Sequence, residues 1–244
     1  IINDQEFNGL IKDEISLFDA DDKALKISFG ANYRNKERDF GSQFLGLEES
    51  TLNTLNPTSI DNLSRVFTSE NLQNGLLTLN ILSPDRYLAK LESVSGFVSA
   101  NYNWYKFNFN LGMRYQKDDL NVKYDVGNIP GRRGVSDKSY NNLYPSFNLK
   151  YAANEQNNFR VAASKTITLP EFKEIAPFEY VSPTGQVTRG NPALEASTNY
   201  NFDVKWEFFP TANQLVSLTG FYKKIEDPIN KVQDRGSAGV FSFF

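Results

Sequence analysis

The feature that most constrains this chain is strict two-residue alternation sustained over long segments. Tyr105, Phe107, Phe109, Leu111, Met113 and Tyr115 fall on one face of an extended strand, with Lys106, Asn108, Asn110, Gly112 and Arg114 on the other. The run covers about eleven residues, where a soluble strand usually has about five or six. Residues 198–208 repeat it, with Tyr200, Phe202, Val204, Trp206 and Phe208 opposite Asn199, Asn201, Asp203, Lys205 and Glu207. Leu25 to Arg34, Leu143 to Tyr151 and Phe159 to Ser164 follow the same rule, and Val94–Tyr102 and Val216–Tyr222 follow it less strictly. Seven such segments lie between Ala24 and Lys224.

Their connections alternate in length. Asn101–Trp104, Ala153–Asn157 and Pro210–Asn213 are tight, whereas Asn35–Tyr87, Lys117–Ser139 and Thr168–Ala196 are long. Short turns at one rim and long loops at the other are the pattern of barrels in bacterial outer membranes. Aromatic residues crowd the tight turns: Tyr102, Trp104 and Tyr105 at one, Tyr151 and Phe159 at another, Trp206, Phe208 and Phe209 at a third. Tyr and Trp favour the boundary between hydrocarbon and water. The expected fold is all-β, an antiparallel meander of long strands forming part of a transmembrane β-barrel. Alternation by itself leaves a second architecture open, a soluble or surface-anchored β-sandwich binding module whose apolar faces meet in a core.

Composition narrows the chemistry. The 244 residues include neither cysteine nor histidine, and aromatics make up 14%. Disulfides, thiolate metal sites, imidazole zinc sites and Ser–His–Asp or Cys–His catalysis are thereby excluded. A net charge of −3 gives no basic field for nucleic acid. No run of eighteen apolar residues suits a spanning helix, which leaves spanning strands untouched. Ile1–Leu10 lacks the basic start and apolar centre of a signal peptide, so the chain is expected to be mature or an internal piece.

Candidate functional residues lie in the long connections and on the polar faces. Arg132 and Arg133 sit among Gly127, Pro130, Gly131 and Gly134 in a turn-rich loop expected to be mobile, where they suit an anionic ligand or lipopolysaccharide phosphates. Phe178, Tyr180, Gln186 and Arg189 offer rings and hydrogen bonds to a sugar or siderophore, or pack the loop on its neighbours. Arg34, Arg114, Arg160, Asp203, Lys205 and Glu207 are expected to face a hydrated lumen and to pair with one another or with a plug. Pro57 to Asp61 resembles a helix start, with Ile60, Leu63, Val66 and Phe67 on one side. Asp21–Asp22 and Asp118–Asp119 lack the regular spacing of a calcium loop, and the carboxylates show no focus suited to glycoside hydrolysis. No metal, cofactor or catalytic residue is assigned.

The run Arg160-Val161-Ala162-Ala163-Ser164-Lys165-Thr166-Ile167-Thr168-Leu169-Pro170-Glu171-Phe172 resembles a strand and loop of TonB-dependent outer-membrane receptors, in the Bacteroidetes style. Gly190-Asn191-Pro192-Ala193-Leu194, Gly220-Phe221-Tyr222-Lys223-Lys224-Ile225, Gly112-Met113-Arg114-Tyr115 and Gly30 to Phe40 follow in the family's order, over roughly Leu25 to Ile229. The resemblance implies a barrel of about twenty-two strands, a plug folded inside it, loops that bind a scarce solute, and energy from the TonB complex. About seven or eight strands are expected here, without plug, TonB box or C-terminal strands. The expected partners are outer-membrane lipid and lipopolysaccharide, a small or oligomeric solute, and TonB through the absent plug. Ala238 to Phe244 reads as the start of a further strand.

Overall fold

The structure is a computed structural model and describes residues 1–20, 22–50, 63–127, 129–181, 186–211, 213–236 and 239–244, without the side chains of 63, 65 and 234–241. Its elements are β1 (Ile2–Ala20), β2 (Lys23–Ser42), β3 (Leu45–Glu49), α1 (Leu63–Val66), α2 (Ser69–Gln73), β4 (Leu77–Ile81), β5 (Asp85–Trp104), β6 (Phe107–Asp125), β7 (Arg133–Ala152) and β8 (Asn157–Thr168). They continue as α3 (Phe172–Ile175), β9 (Glu179–Val181), β10 (Val187–Arg189), β11 (Ser197–Phe208), β12 (Val216–Glu226), β13 (Val232–Gly236) and β14 (Gly239–Phe243). Eight strands pair in chain order, β1-β2-β5-β6-β7-β8-β11-β12, as one antiparallel sheet.

The sheet is a single layer, and that removes the sandwich alternative. Val98, Leu111, Met113 and Val204 are exposed by 50, 54, 46 and 43%. Among the described residues no second sheet covers these apolar rows. Their exposure is intelligible if the solvent on that side is hydrocarbon.

Register fixes how the sheet sits in that solvent. The last apolar outward residue on β2 is Tyr33, which lies in the cross-strand row Tyr33–Val94–Lys117. On β12 it is Tyr222, in the row Tyr222–Phe202–Ala163–Phe147–Leu111. The apolar boundary thus falls from the level of Lys117 to that of Leu111 on β6, six residues over six strand steps. At ~3.3 Å per residue and ~4.8 Å per step this corresponds to strands tilted by about 35°, within the range of membrane barrels. The outward row Val94 to Trp104 on β5 is then about 27 Å tall, close to an outer-membrane apolar band.

At the tight-turn rim the predicted aromatic girdle takes the form of a ladder. Trp104 stacks on Phe107 at 5.9 Å, Phe107 on Tyr151 at 4.7 Å, and Tyr151 on Phe159 at 6.4 Å, which links four strands. Trp206 donates to Asn157 Oδ1 at 3.0 Å, so its indole is satisfied at the wet edge.

Three sequence expectations change. Strand pairing reaches into two of the long connections: β2 and β5 pair out to Ser42 and Asp85, and β6 and β7 out to Asp125 and Arg133, which makes the second connection largely strand. Alternation fades there because the outward row turns from apolar to charged, with Glu37, Asp39, Lys117, Asp119 and Lys123, while the backbone ladder continues. The glycine-rich loop is therefore a short turn between Asp125 and Arg133, with φ of +77° at Gly131 and +58° at Arg132. Second, β1 is an additional strand. Gly9 and Asp13 interrupt its outward row, and a bulge between Ser16 and Phe18 shifts its register, so its alternation is weak. Third, Gly239–Phe243 does form a strand, but it joins the small sheet β13-β14-β10-β9 and pairs in parallel with β10. The helix start read at Pro57 to Asp61 lies outside the described residues; α1 begins at Leu63.

Candidate functional site

The inner face, opposite the apolar rows, changes character along the strands. Near the tight turns it carries Asn101, Asn103, Asn108 and Asn110; Asn108 donates to Asn101 Oδ1 at 2.9 Å and also to Asn103. Towards the other rim it becomes apolar, with Tyr87, Ala89, Leu91, Leu120 and Val122 almost fully buried. What covers them is the connection after β8. Pro170 is buried, α3 follows, and Phe172, Ile175, Ala176 and Phe178 pack onto the β5–β6 wall as one cluster. The long connection therefore folds inwards, against the face that a lumen would present.

Several devices hold it there. Glu171 N donates to Glu174 Oε2 at 2.8 Å at the start of the short helix. Phe40 stacks on Tyr87 at 4.9 Å and meets Phe178 edge-on at 4.8 Å, and Tyr180 closes the group at 4.7 Å from Phe178. The Tyr180 and Tyr87 hydroxyls stand 3.4 Å apart, and burial pushes the Tyr180 phenol up from its ordinary value. Lys36 and Arg38 both lie 5.8 Å over the Phe172 ring. Gly190 crosses α3 so closely that a Cβ would strike the Ala176 and Lys173 carbonyl oxygens. Beyond it Asn191 N donates to Glu174 O at 2.6 Å.

Between this segment and the inner wall lies a cavity of about 760 Å³, bounded by Arg34, Lys36, Arg38, Arg114, Gln116, Tyr144, Thr166 and Phe172. Arg34 is neutralised by Glu6 at 2.8 Å, and Arg38 by a two-pronged contact with Asp4 at 2.6 and 2.7 Å. Arg114 Nε and the Tyr144 hydroxyl are buried with no hydrogen-bond partner among the described residues. Glu171 also lines the cavity, and with Lys36 and Arg114 outside these ion pairs the cavity offers mainly donors to a group rich in acceptors.

The predicted residues separate into groups. Register puts Arg34, Arg114, Arg160, Asp203, Lys205 and Glu207 on the inner face; Arg160 and Lys205 both reach Glu207, at 3.0 and 2.9 Å. Of the six, Arg34 and Arg114 line the cavity. Arg132 and Arg133 stand at the β6–β7 tip and clamp the two oxygens of Asp125 at 2.8 and 2.9 Å, and Arg132 also donates to Pro84 O. Phe178 is 4% exposed and belongs to the packing. Tyr180 and Arg189 lie on the paired strands β9 and β10, with exposed Gln186 just before β10. Asp118 and Asp119 point to opposite faces, the first buried beneath Ser93 Oγ at 2.5 Å, the second bonded to Ser139, so they do not form one ligand set. Lys36, Arg38 and Tyr144 are additions. The alternating charges of Arg34-Asn35-Lys36-Glu37-Arg38-Asp39, with cations at every second position, were the signal for the first two.

A tilted sheet with an apolar outward band, an aromatic rim and a polar inner face defines the wall of an outer-membrane β-barrel. The chain belongs to the family described as TonB dependent receptor-like, beta-barrel, which matches residues 3–243 and resides in the bacterial outer membrane. No curated protein matches its sequence. Among solved structures it is similar to the siderophore receptor PiuA from Acinetobacter baumannii, with 13% identity and TM-score 0.56 over 98% of this chain and 34% of that one. The ferric-catecholate import receptor Fiu from E. coli K12 gives 14% and 0.56 over 98% and 33%. The Serratia marcescens hemophore receptor HasR, in complex with its hemophore HasA and heme, gives 12% and 0.51 over 99% and 44%. At these identities the likeness concerns the fold. The chain spans about a third of the length of the first two structures.

Proposed function

We propose that this chain forms part of the wall of a TonB-dependent receptor that takes up a scarce solute, such as a siderophore, oligosaccharide or peptide, and is not an enzyme. The observation that carries the reading is the inward-folded segment 169–178 with the donor-lined cavity beneath it, where buried Arg114 Nε and Tyr144 hydroxyl lack partners. Burying such groups unpaired is costly, so an acceptor-bearing occupant is favoured. The names of the similar structures, a siderophore receptor, a ferric-catecholate import receptor and a hemophore receptor, support uptake of iron-bearing ligands. In this reading the remaining strands complete a cylinder and a plug fills it. TonB acts through that plug, and the motif order of the Bacteroidetes style fits such an assembly.

The test is uptake by cells with and without the intact protein, using a labelled ferric siderophore panel and an oligosaccharide panel. One panel should lose uptake on deletion, and a protonophore should abolish the same uptake in the parent cells. Uptake indifferent to the proton gradient would remove the TonB-driven reading. Uptake of every probe indifferent to deletion would remove the receptor reading itself.

A further inference from the structure

We propose that the solute held in the inner cavity is an amphiphile, an acceptor-rich head bearing one alkyl chain, and that its chain leaves the cavity sideways between β7 and β8. The proposal rests on the reading of that cavity as a solute site and adds the chemistry of the solute.

β7 pairs with β6 from Arg133 to Tyr151 but with β8 only from Ser146 to Ala152. The ladder to β8 stops at Pro145, which has no N–H to offer. Beyond it β8 continues with β11 alone as far as Thr168. Among the described residues no backbone hydrogen bond crosses between residues 135–145 of β7 and residues 165–168 of β8. The wall is therefore divided by a cleft. Higher up, the segment before β11 bridges to β7 on the inner side: Ser136 Oγ donates to Pro192 O at 3.1 Å and Lys138 pairs with Glu195 at 2.6 Å. The bridge reaches down to Tyr140, whose hydroxyl donates to Glu195 at 3.0 Å, and stops short of Pro145.

Two spaces meet at this cleft. The inner cavity is bounded by Tyr144 on one edge and Thr166 on the other. An outward groove of about 690 Å³ is bounded by Pro145 and Lys165, the adjoining residues of the same two edges. Ile167 marks the passage between them. Its pairing with Thr198 puts it in the outward row of β8, yet it bounds the inner cavity. Beside it Leu169, Pro170 and Phe172 make one side of the cavity apolar, and Ala163, Met113 and Phe147 continue the apolar surface in the groove.

These surfaces select the occupant. A wholly polar solute would leave Ile167, Leu169 and Phe172 without an apolar partner. A hydrocarbon would leave Arg114 Nε and the Tyr144 hydroxyl buried and unpaired. An amphiphile meets both demands: its head faces the donors, and its chain follows Leu169 and Ile167 into the groove. Met113 and Phe147 belong to the outward apolar rows, so the chain ends in hydrocarbon.

Binding to the intact protein in lipid nanodiscs, corrected for protein-free discs, tests this with two probes that share a citrate head. One carries an octyl chain, the other an octyl chain ending in a trimethylammonium group. The plain chain should bind about ten- to a hundredfold tighter, since each buried methylene is worth about fourfold and a charged tip resists hydrocarbon. A diazirine at the end of the plain chain should label Met113 or Phe147. Excess citrate should suppress that labelling and spare any labelling of Leu218 on β12. Ile167→Trp, which narrows the passage, should reduce the plain probe to the affinity of the capped one and leave citrate binding unchanged. Leu218→Trp should alter neither. Equal affinity of the two probes, failure of both to bind, or groove labelling indifferent to citrate would overturn the proposal. The comparisons on the unaltered protein need no variant to fold. Lost chain preference with citrate still bound strikes this inference alone, whereas deletion-dependent uptake decides the receptor reading.

Discussion

Gly190 shows how one residue without a side chain positions the inward segment. Its backbone φ is ordinary, and the constraint is proximity: the Ala176 and Lys173 carbonyls occupy the space a Cβ would need, and neither is a flexible side-chain end. Gly190→Ala should therefore push residues 172–178 off the β5–β6 wall, at about 1–3 kcal/mol for overpacking. Hydrogen exchange at Asn191 and Ala176 should quicken by roughly one to two orders of magnitude, with amides of β5 and β6 unchanged near the tight turns. A second residue ties the same connection by charge. Lys138 donates to Glu195, the Tyr140 hydroxyl adds a bond at 3.0 Å, and the carboxyl is held below its usual range. A depressed carboxyl contributes stability above its unfolded value, about 4.3, and loses it as pH falls through the folded value. A spin label at Ala193 should thus become more mobile between about pH 5 and pH 3. In Glu195→Gln it should be mobile throughout, and equal mobility of the two at pH 6 would contradict the role.

At the scale of elements, the membrane-spanning halves of the strands were legible and their outer halves were not. Tyr105 to Tyr115 reads as a strand because its outward residues are uniformly apolar, and the structure pairs that segment from Phe107. Past Tyr115 the outward residues are Lys117, Asp119, Asn121 and Lys123, a pattern that sequence equates with loop, yet backbone pairing runs to Asp125. Water outside the band replaces lipid, so the outward side chains change while the hydrogen-bond ladder stays. The inward fold of segment 169–178 was hidden for a different reason: Tyr87, Leu91, Leu120 and Val122 depend on contacts made with residues some fifty or more positions away. The aromatic ladder is the element whose energetics are most accessible. Tyr151 touches Phe107 and Phe159, so Tyr151→Ala removes two ring contacts at about 0.5–1.5 kcal/mol each. Urea unfolding of the intact barrel in lipid vesicles should show a loss of about 1–3 kcal/mol. Tyr140→Phe, which keeps its ring far from the girdle, should cost less.

For the whole molecule the decisive quantity is which face meets hydrocarbon, and a pair of adjacent residues can measure it. Leu111 and Asn110 are neighbours on β6 near mid-band, one outward and 54% exposed, the other inward opposite Asn101 and Asn148. In water the two positions would differ little on introducing a charge, because an exposed leucine can be replaced by arginine at small cost. In a membrane wall they differ sharply. Arginine at the lipid-facing midplane costs about 2–4 kcal/mol, whereas a lumen-facing one stays hydrated. Leu111→Arg should thus lower the stability of the vesicle-inserted barrel by about 2–4 kcal/mol, and Asn110→Arg by less than about 1 kcal/mol. A reversed order would mean that the apolar rows face inwards, and with it the tilt, the girdle and the placement of the cavity would all lose their meaning. The same measurement on Val204 and Asp203 of β11, three strands away in the tilted sheet, should return the same ordering, since outward and inward faces persist along the wall.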